Sequence, residues 1–100
     1  MILSKLPAAI IGLGKTGISI AKYFDKNKVD YHIYDTRSDL IISKKILNQI
    51  GTKKITLGPM SIKSIDDHDN FIVSPGISLE HNFITKIKSV NKSFFIRQRY

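Results

Sequence analysis

The run Ala8-Ala9-Ile10-Ile11 followed by Gly12-Leu13-Gly14-Lys15-Thr16-Gly17 constrains the fold more than any other part of the chain. Four apolar residues closed by glycine predict a strand buried on both faces, as in a parallel sheet. From Lys15 to about Asn27, Ile18, Ala21 and Phe24 recur at helical spacing opposite Lys22, Asp25 and Lys26, which predicts an amphipathic helix. The glycines between them have the spacing G-x-G-x-x-G in a strand-turn-helix setting. There the first glycine allows a tight turn, the second lets a phosphate approach the backbone, and the third lets the helix lie against the strand. Free N–H groups and the positive end of the helix dipole then face an anion. The turn is expected to hold a nucleotide or a phosphate; glycines kept for packing alone are the competing explanation.

The remaining chain repeats the alternation. Tyr31-His32-Ile33-Tyr34 reads as a second strand stopping at Asp35-Thr36-Arg37-Ser38, a cluster of turn and capping residues. A helix is expected from Ser43 to Ile50, ended by Gly51, and a third strand over Lys54 to Leu57, closed by Gly58-Pro59. Ser61 to Asn70 holds a short helical turn, and Phe71-Ile72-Val73 forms a fourth strand that breaks at Ser74-Pro75-Gly76. Leu79, Phe83, Ile84, Ile87 and Val90 mark one face of a further helix, and Ser93 to Ile96 is a candidate fifth strand. Strands separated by helices predict an α/β fold: a Rossmann-like open parallel sheet of about five strands with helices on both faces and right-handed crossovers.

With 100 residues, 42% of them hydrophobic, the chain has the length of one small domain. The formal net charge is +8, from 16 basic and 8 acidic residues. The lysines are scattered among isoleucines, without the arginine and aromatic clustering of a nucleic-acid face, so the charge is read as compositional and no nucleic-acid partner is expected. Cysteine is absent, which excludes disulfides and thiolate metal sites. Glycines interrupt the apolar N-terminal stretch, and no run has the length of a membrane span. A cytoplasmic monomer is expected.

Three loops carry the candidate chemistry. Lys15 and Thr16 follow glycine as in a P-loop, but Gly12 and Gly14 are separated by one residue and a Walker loop needs four. Thr16 is better placed as a donor near the helix start, and Lys15 serves equally as ligand contact or solvated residue. Asp35, eighteen residues after Gly17, stands where dinucleotide-binding folds put a ribose-accepting carboxylate. An NAD-binding domain is therefore one reading. Thr36 and Arg37 follow at once, and the three side chains could equally surround the base or ribose of another nucleotide. Ser74, Pro75 and Gly76 fall at the same carboxyl edge, where open α/β sheets bind ligands. His32, His68 and His81 are dispersed and read as surface or structural, with no catalytic grouping. Asp66, Asp67 and Asp69 around His68 read as a solvated acidic loop, since consecutive residues cannot all face one ion.

The segments IIGLGKTGISIAKYF, YDTR and IVSPGIS, in that order and spacing, resemble the N-terminal domain of the D-glutamate-adding Mur ligases over about residues 8 to 90. That domain is Rossmann-like but binds the UDP part of UDP-N-acetylmuramoyl-L-alanine. The resemblance implies that Lys15 and Thr16, with Gly12, Gly14 and Gly17, lie by the uridine and phosphates. It further implies that Asp35, Thr36 and Arg37 surround the uracil and that Gly76, with Ser74 and Pro75, lies near the diphosphate. The family forms an amide through an acyl phosphate using ATP and magnesium, in peptidoglycan synthesis. The central ATPase domain and the C-terminal domain that serve this are not represented here, so no cofactor and no catalytic residue is assigned to this chain, which alone is expected to be inactive. The domain is expected to occupy residues 1–92. Residues 93–100, Ser93-Phe94-Phe95-Ile96-Arg97-Gln98-Arg99-Tyr100, depart from the acidic continuation of the family and are expected to be a tail foreign to the fold, as in a truncated or frameshifted gene product. A basic nucleic-acid-binding module is the remaining alternative.

Overall fold

A computed structural model describes residues 6–38, 42, 44–50, 54–59, 61–74, 81–90 and 93–96. The elements run β1 (Ala8–Ile11), α1 (Lys15–Lys26), β2 (Tyr31–Asp35), α2 (Lys44–Ile50), β3 (Ile55–Leu57), a 3-10 helix (Ile62–Asp67), β4 (Asn70–Val73), α3 (His81–Ser89) and β5 (Ser93–Ile96). All five strands join one parallel sheet in the order β3-β2-β1-β4-β5. The predicted α/β class and alternation are those of the structure. The 3-10 helix spans more of the polar segment than one turn, with the Ser61 hydroxyl accepting from the N–H of Lys63 as its cap.

β1 is buried at all four positions because it lies mid-sheet with helices on both faces. Its side chains alternate between two cores, as the two-residue strand period requires. Ala8 and Ile10 join Leu13, Ala21, Phe24, Tyr31, Ile33 and Ile50, the cluster under α1 and α2. Ala9 and Ile11 join Ile65, Phe71, Val73 and Ile87, the cluster under the 3-10 helix and α3. Val90, expected on the buried face of α3, is exposed because the helix ends one residue before it. Leu79 and the side chains of Phe83 and Ile84 lie outside the described residues.

His68 is buried on this second face, consistent with a structural histidine. Its Nδ1–H donates to the carbonyl of Pro7 at 2.7 Å, since a carbonyl can only accept, and its Nε2 shares a hydrogen bond with the Tyr34 hydroxyl at 2.6 Å. The ring ties the end of the 3-10 helix to the entry of β1 and the middle of β2. β5 pairs in parallel register with β4, Asn70 opposite Ser93 through Val73 opposite Ile96. Over Ser93–Ile96 the segment read both as candidate strand and as tail is therefore a strand of the sheet. The remaining tail residues, 97–100, lie outside the described residues.

Helix α1 ends in a Schellman turn built without glycine. Val29 N–H donates to Phe24 O at 2.9 Å and Lys28 N–H to Asp25 O at 3.3 Å, with Lys28 at φ 57°. A side chain in that left-handed conformation is strained by about 1–2 kcal/mol, partly offset in any glycine variant by the freer unfolded chain. Lys28→Gly is expected to stabilise the domain by about 0.5 kcal/mol, seen as a higher urea midpoint at unchanged m-value; a lower midpoint would contradict this account of the turn.

Candidate functional site

The chain proceeds outward from β1 to β2 and β3, then returns across to β4 on the other side of β1. That reversal opens a crevice at the carboxyl ends of β1 and β4, the place where open α/β sheets take ligands. Backbone hydrogen bonds hold the strand ends level there. Gly12 N–H donates to Tyr34 O at 2.7 Å, Ser74 N–H to Ile11 O at 2.9 Å, and Gly58 N–H to Asp35 O at 2.8 Å. The loops after β1, β2, β3 and β4 thus begin side by side.

In the glycine turn each glycine answers a different demand. Gly12 has φ 116°, a conformation that side chains rarely adopt. A Cβ on Gly17 would fall on the carbonyl oxygen of Gly12, far inside van der Waals contact, and 3.1 Å from its carbonyl carbon. A Cβ on Gly14 would meet nothing within 4 Å. The first and third glycines are required by the protein's own backbone; the second leaves space open beside the helix start. Gly14 is the N-cap of α1 and supplies no side-chain cap, and the first turn carries no acidic residue. The N–H groups and the positive dipole end are therefore left without a counter-charge from this helix. Lys15 is exposed there and Thr16 half-buried.

Asp35 is the most constrained side chain at this edge, with no exposed surface. Its Oδ2 accepts from the N–H of Leu13 at 2.8 Å and from Arg37 Nη2 at 2.8 Å. Its Oδ1 accepts from the Arg37 N–H at 3.0 Å and from Arg37 Nε at 2.9 Å. The Arg37 guanidinium, followed by the two N–H donors, outweighs burial and holds the carboxyl at about 2. The Arg37 side chain remains 54% exposed, so the carboxylate faces inward while the guanidinium it orients reaches the surface. A ribose-accepting carboxylate, the feature that favoured a dinucleotide, requires lone pairs turned toward the ligand; here four donors of the chain itself occupy both oxygens. Thr36 is exposed beside them.

Ser74 sits at the end of β4 with 8% of its surface exposed, and its hydroxyl has no hydrogen-bond partner among the described residues. A buried orphan hydroxyl costs about 1–3 kcal/mol unless something else satisfies it. Pro75 and Gly76 lie outside the described residues. Of the predicted set, the structure thus brings Gly12, Gly14, Lys15, Thr16, Gly17, Asp35, Thr36, Arg37 and Ser74 to one edge. Leu13 and Gly58 belong to the same edge and were not singled out from the sequence. Gly58, at φ 106°, carried a signal as a glycine directly after a strand; the Leu13 N–H carried none, because a backbone donor leaves no mark on residue type.

Among the described residues no group of three or more histidines, aspartates or glutamates converges as a metal site. The turn also lacks Walker spacing, and no step through a magnesium nucleoside triphosphate is derived. Among the described residues no helix is long and apolar enough to cross a membrane.

An open parallel α/β sheet with a glycine turn at its switch point defines a domain of the Rossmann-like class. More narrowly, the chain belongs to the family of Mur ligase MurD-like N-terminal domains, whose model matches residues 7–94. It is similar to the UDP-N-acetylmuramoylalanine--D-glutamate ligase of Legionella pneumophila, 28% identical over 86 residues that cover 86% of this chain and 19% of the relative. The ligase of the same name from Rickettsia conorii is 33% identical over 88 residues, covering 88% and 17% respectively. That from Clostridioides difficile is 34% identical over 85 residues, covering 83% and 19%. The chain spans about a fifth of the length of these curated relatives.

Proposed function

We propose that this chain is the substrate-docking domain of a D-glutamate-adding Mur ligase and that its carboxyl edge binds the UDP part of UDP-N-acetylmuramoyl-L-alanine. The observation that carries the reading is an uncapped helix start with open space at Gly14, at the same strand edge as the orphan Ser74 hydroxyl. Donors without acceptors at one strand edge suit a diphosphate. In this reading the N–H groups of the turn, Thr16 and Ser74 take phosphate oxygens, and Lys15 adds charge. Thr36 and Arg37 address the nucleoside, and Asp35 serves as the brace that holds Arg37 and the turn in place. Pro75 and Gly76, which the resemblance assigns to the diphosphate, lie outside the described residues. The domain docks substrate; ATP-dependent amide formation, with its magnesium, belongs to parts of such a ligase beyond this domain, and this chain alone is inactive.

Stability and binding separate at two positions, and calorimetric titration with UDP-N-acetylmuramoyl-L-alanine tests the reading there. Ser74→Ala removes an unsatisfied group, so folding stability holds or rises by about 1 kcal/mol while affinity falls roughly tenfold. Gly14→Ala puts a methyl into the open space; stability changes by less than about 1 kcal/mol, and affinity falls at least as far. Wild-type affinity in both variants would remove the proposed diphosphate site.

A further inference from the structure

Five of the lysines that look scattered along the chain are gathered by the fold onto one face. Among the described residues, α1 and α2, which cover the same face of the sheet, carry Lys15, Lys22, Lys26, Lys44 and Lys45, all exposed, against the single acid Asp25, with Lys28 and Asp30, also exposed, just beyond α1. Asp25 is itself occupied, accepting from the Tyr31 hydroxyl at 3.0 Å and lying 3.6 Å from Lys54. On the opposite face the 3-10 helix and α3 carry Lys63, Lys86 and Lys88 against Asp66 and Asp67, with Asp69 just beyond. Among the described residues the helices on the two faces of the sheet thus differ in charge.

The α1 lysines also share a line. At 100° per residue Lys15, Lys22 and Lys26 fall within about 40° of one another, opposite the buried Gly17, Ala21 and Phe24, over roughly 16 Å of helix. Beside this line Tyr23 is 64% exposed, the most exposed of the large hydrophobic side chains among the described residues. Lysines flanking an outward aromatic on an amphipathic helix are the composition of a segment lying on a charged interface. The ammonium groups reach anionic headgroups, and the ring, apolar with a polar tip, settles at their level.

We propose that the α1/α2 face docks peripherally on an anionic lipid surface, with Lys22, Lys26, Lys44 and Lys45 over lipid phosphates and Tyr23 in the interface. Lipid suits this face better than a nucleic acid. Neither helix carries an arginine, the residue whose fork reads bases and phosphates in pairs. Tyr23 offers one ring, whereas single strands are tracked by successive stacking platforms along a groove. The opposite, charge-balanced side leaves this orientation favoured over others, and the carboxyl edge lies at the rim of the face, since Lys15 begins the lysine line.

Cosedimentation of the 100-residue chain with vesicles tests the proposal, using phosphatidylcholine alone and phosphatidylcholine mixed with phosphatidylglycerol. Binding is expected only to the mixed vesicles, and high salt should abolish it. Lys22→Glu with Lys26→Glu is expected to lower the partition at least about tenfold, and Tyr23→Ser a few-fold. Lys86→Glu with Lys88→Glu, the same charge change on the other side, should lower it by about twofold or less. The urea midpoint of each variant reports its fold, and Lys22→Gln with Lys26→Gln gives the same comparison with a milder change. Equal binding to neutral vesicles, or equal loss from the two double glutamate variants, would overturn the proposal. So would tighter binding of a duplex oligonucleotide than of mixed vesicles at one salt concentration. None of these readouts depends on nucleotide binding, so this proposal and the UDP site fail separately.

Discussion

Gly17→Ala is expected to destabilise the domain by at least about 3 kcal/mol, a fall in Tm of at least about 12 °C for a chain of this size. The added methyl would coincide with the carbonyl oxygen of Gly12 and lie 3.6 Å from Ile10 Cγ2. Neither neighbour can yield cheaply. The Gly12 carbonyl belongs to a turn fixed by the Gly12 N–H to Tyr34 bond, and Ile10 is buried in the centre of the sheet. The helix must therefore move away from β1, which opens the packing of Ala21 and Phe24 against the first core. With native stabilities of 5–15 kcal/mol as the usual range, a loss of this size leaves a small domain close to unfolding. Urea denaturation checks it: a wild-type midpoint in Gly17→Ala would mean that helix and strand are not in the contact described, while Gly14→Ala serves as the tolerated control.

Asp35→Ala is expected to cost about 3 kcal/mol, because it strands a buried donor and releases a charge. The N–H of Leu13 loses its acceptor, and the Arg37 guanidinium loses both arms of its clamp. Ligand affinity falls with it, since the glycine turn and Arg37 are then no longer held to each other. The same carboxyl gives a pH signature. Its folded value of about 2 lies below the ordinary 3.8, so its contribution of about 2 kcal/mol is complete above pH 3.8 and is lost as the pH falls through about 2. Wild-type stability measured across that acid window should drop more steeply than that of Asp35→Asn, which has no carboxyl to protonate. Parallel acid profiles would show that Asp35 is not held as described.

The strand-turn-helix and the order of elements were legible because they rest on local chemistry. Ala8 to Ile11 could only be a doubly buried strand, and the glycine spacing has meaning in the six residues that contain it. Asp35 shows where that legibility stops. Its position at the end of β2 was readable, but which way its carboxylate faces depends on the N–H of Leu13, twenty-two residues away in the chain, and on the reach of Arg37. A brace and a ligand contact look alike in sequence. The lysines illustrate the same limit on a larger scale: Lys22 and Lys44 look unrelated in sequence, and the fold packs their helices against one face of the sheet. His68 was read with the other histidines as surface or structural; its burial and its partners were not legible, since Pro7 offers only a backbone carbonyl.

In the proposed function the carboxyl edge takes the UDP part of UDP-N-acetylmuramoyl-L-alanine and not a dinucleotide, and one calorimetric comparison separates the two ligands. UDP-N-acetylmuramoyl-L-alanine and NAD are each titrated into the chain at one salt concentration, and each is then titrated in the presence of the other. Saturable one-to-one binding of the UDP compound, undisturbed by NAD, is the result predicted. Tighter binding of NAD, or displacement of the UDP compound by it, would contradict the account.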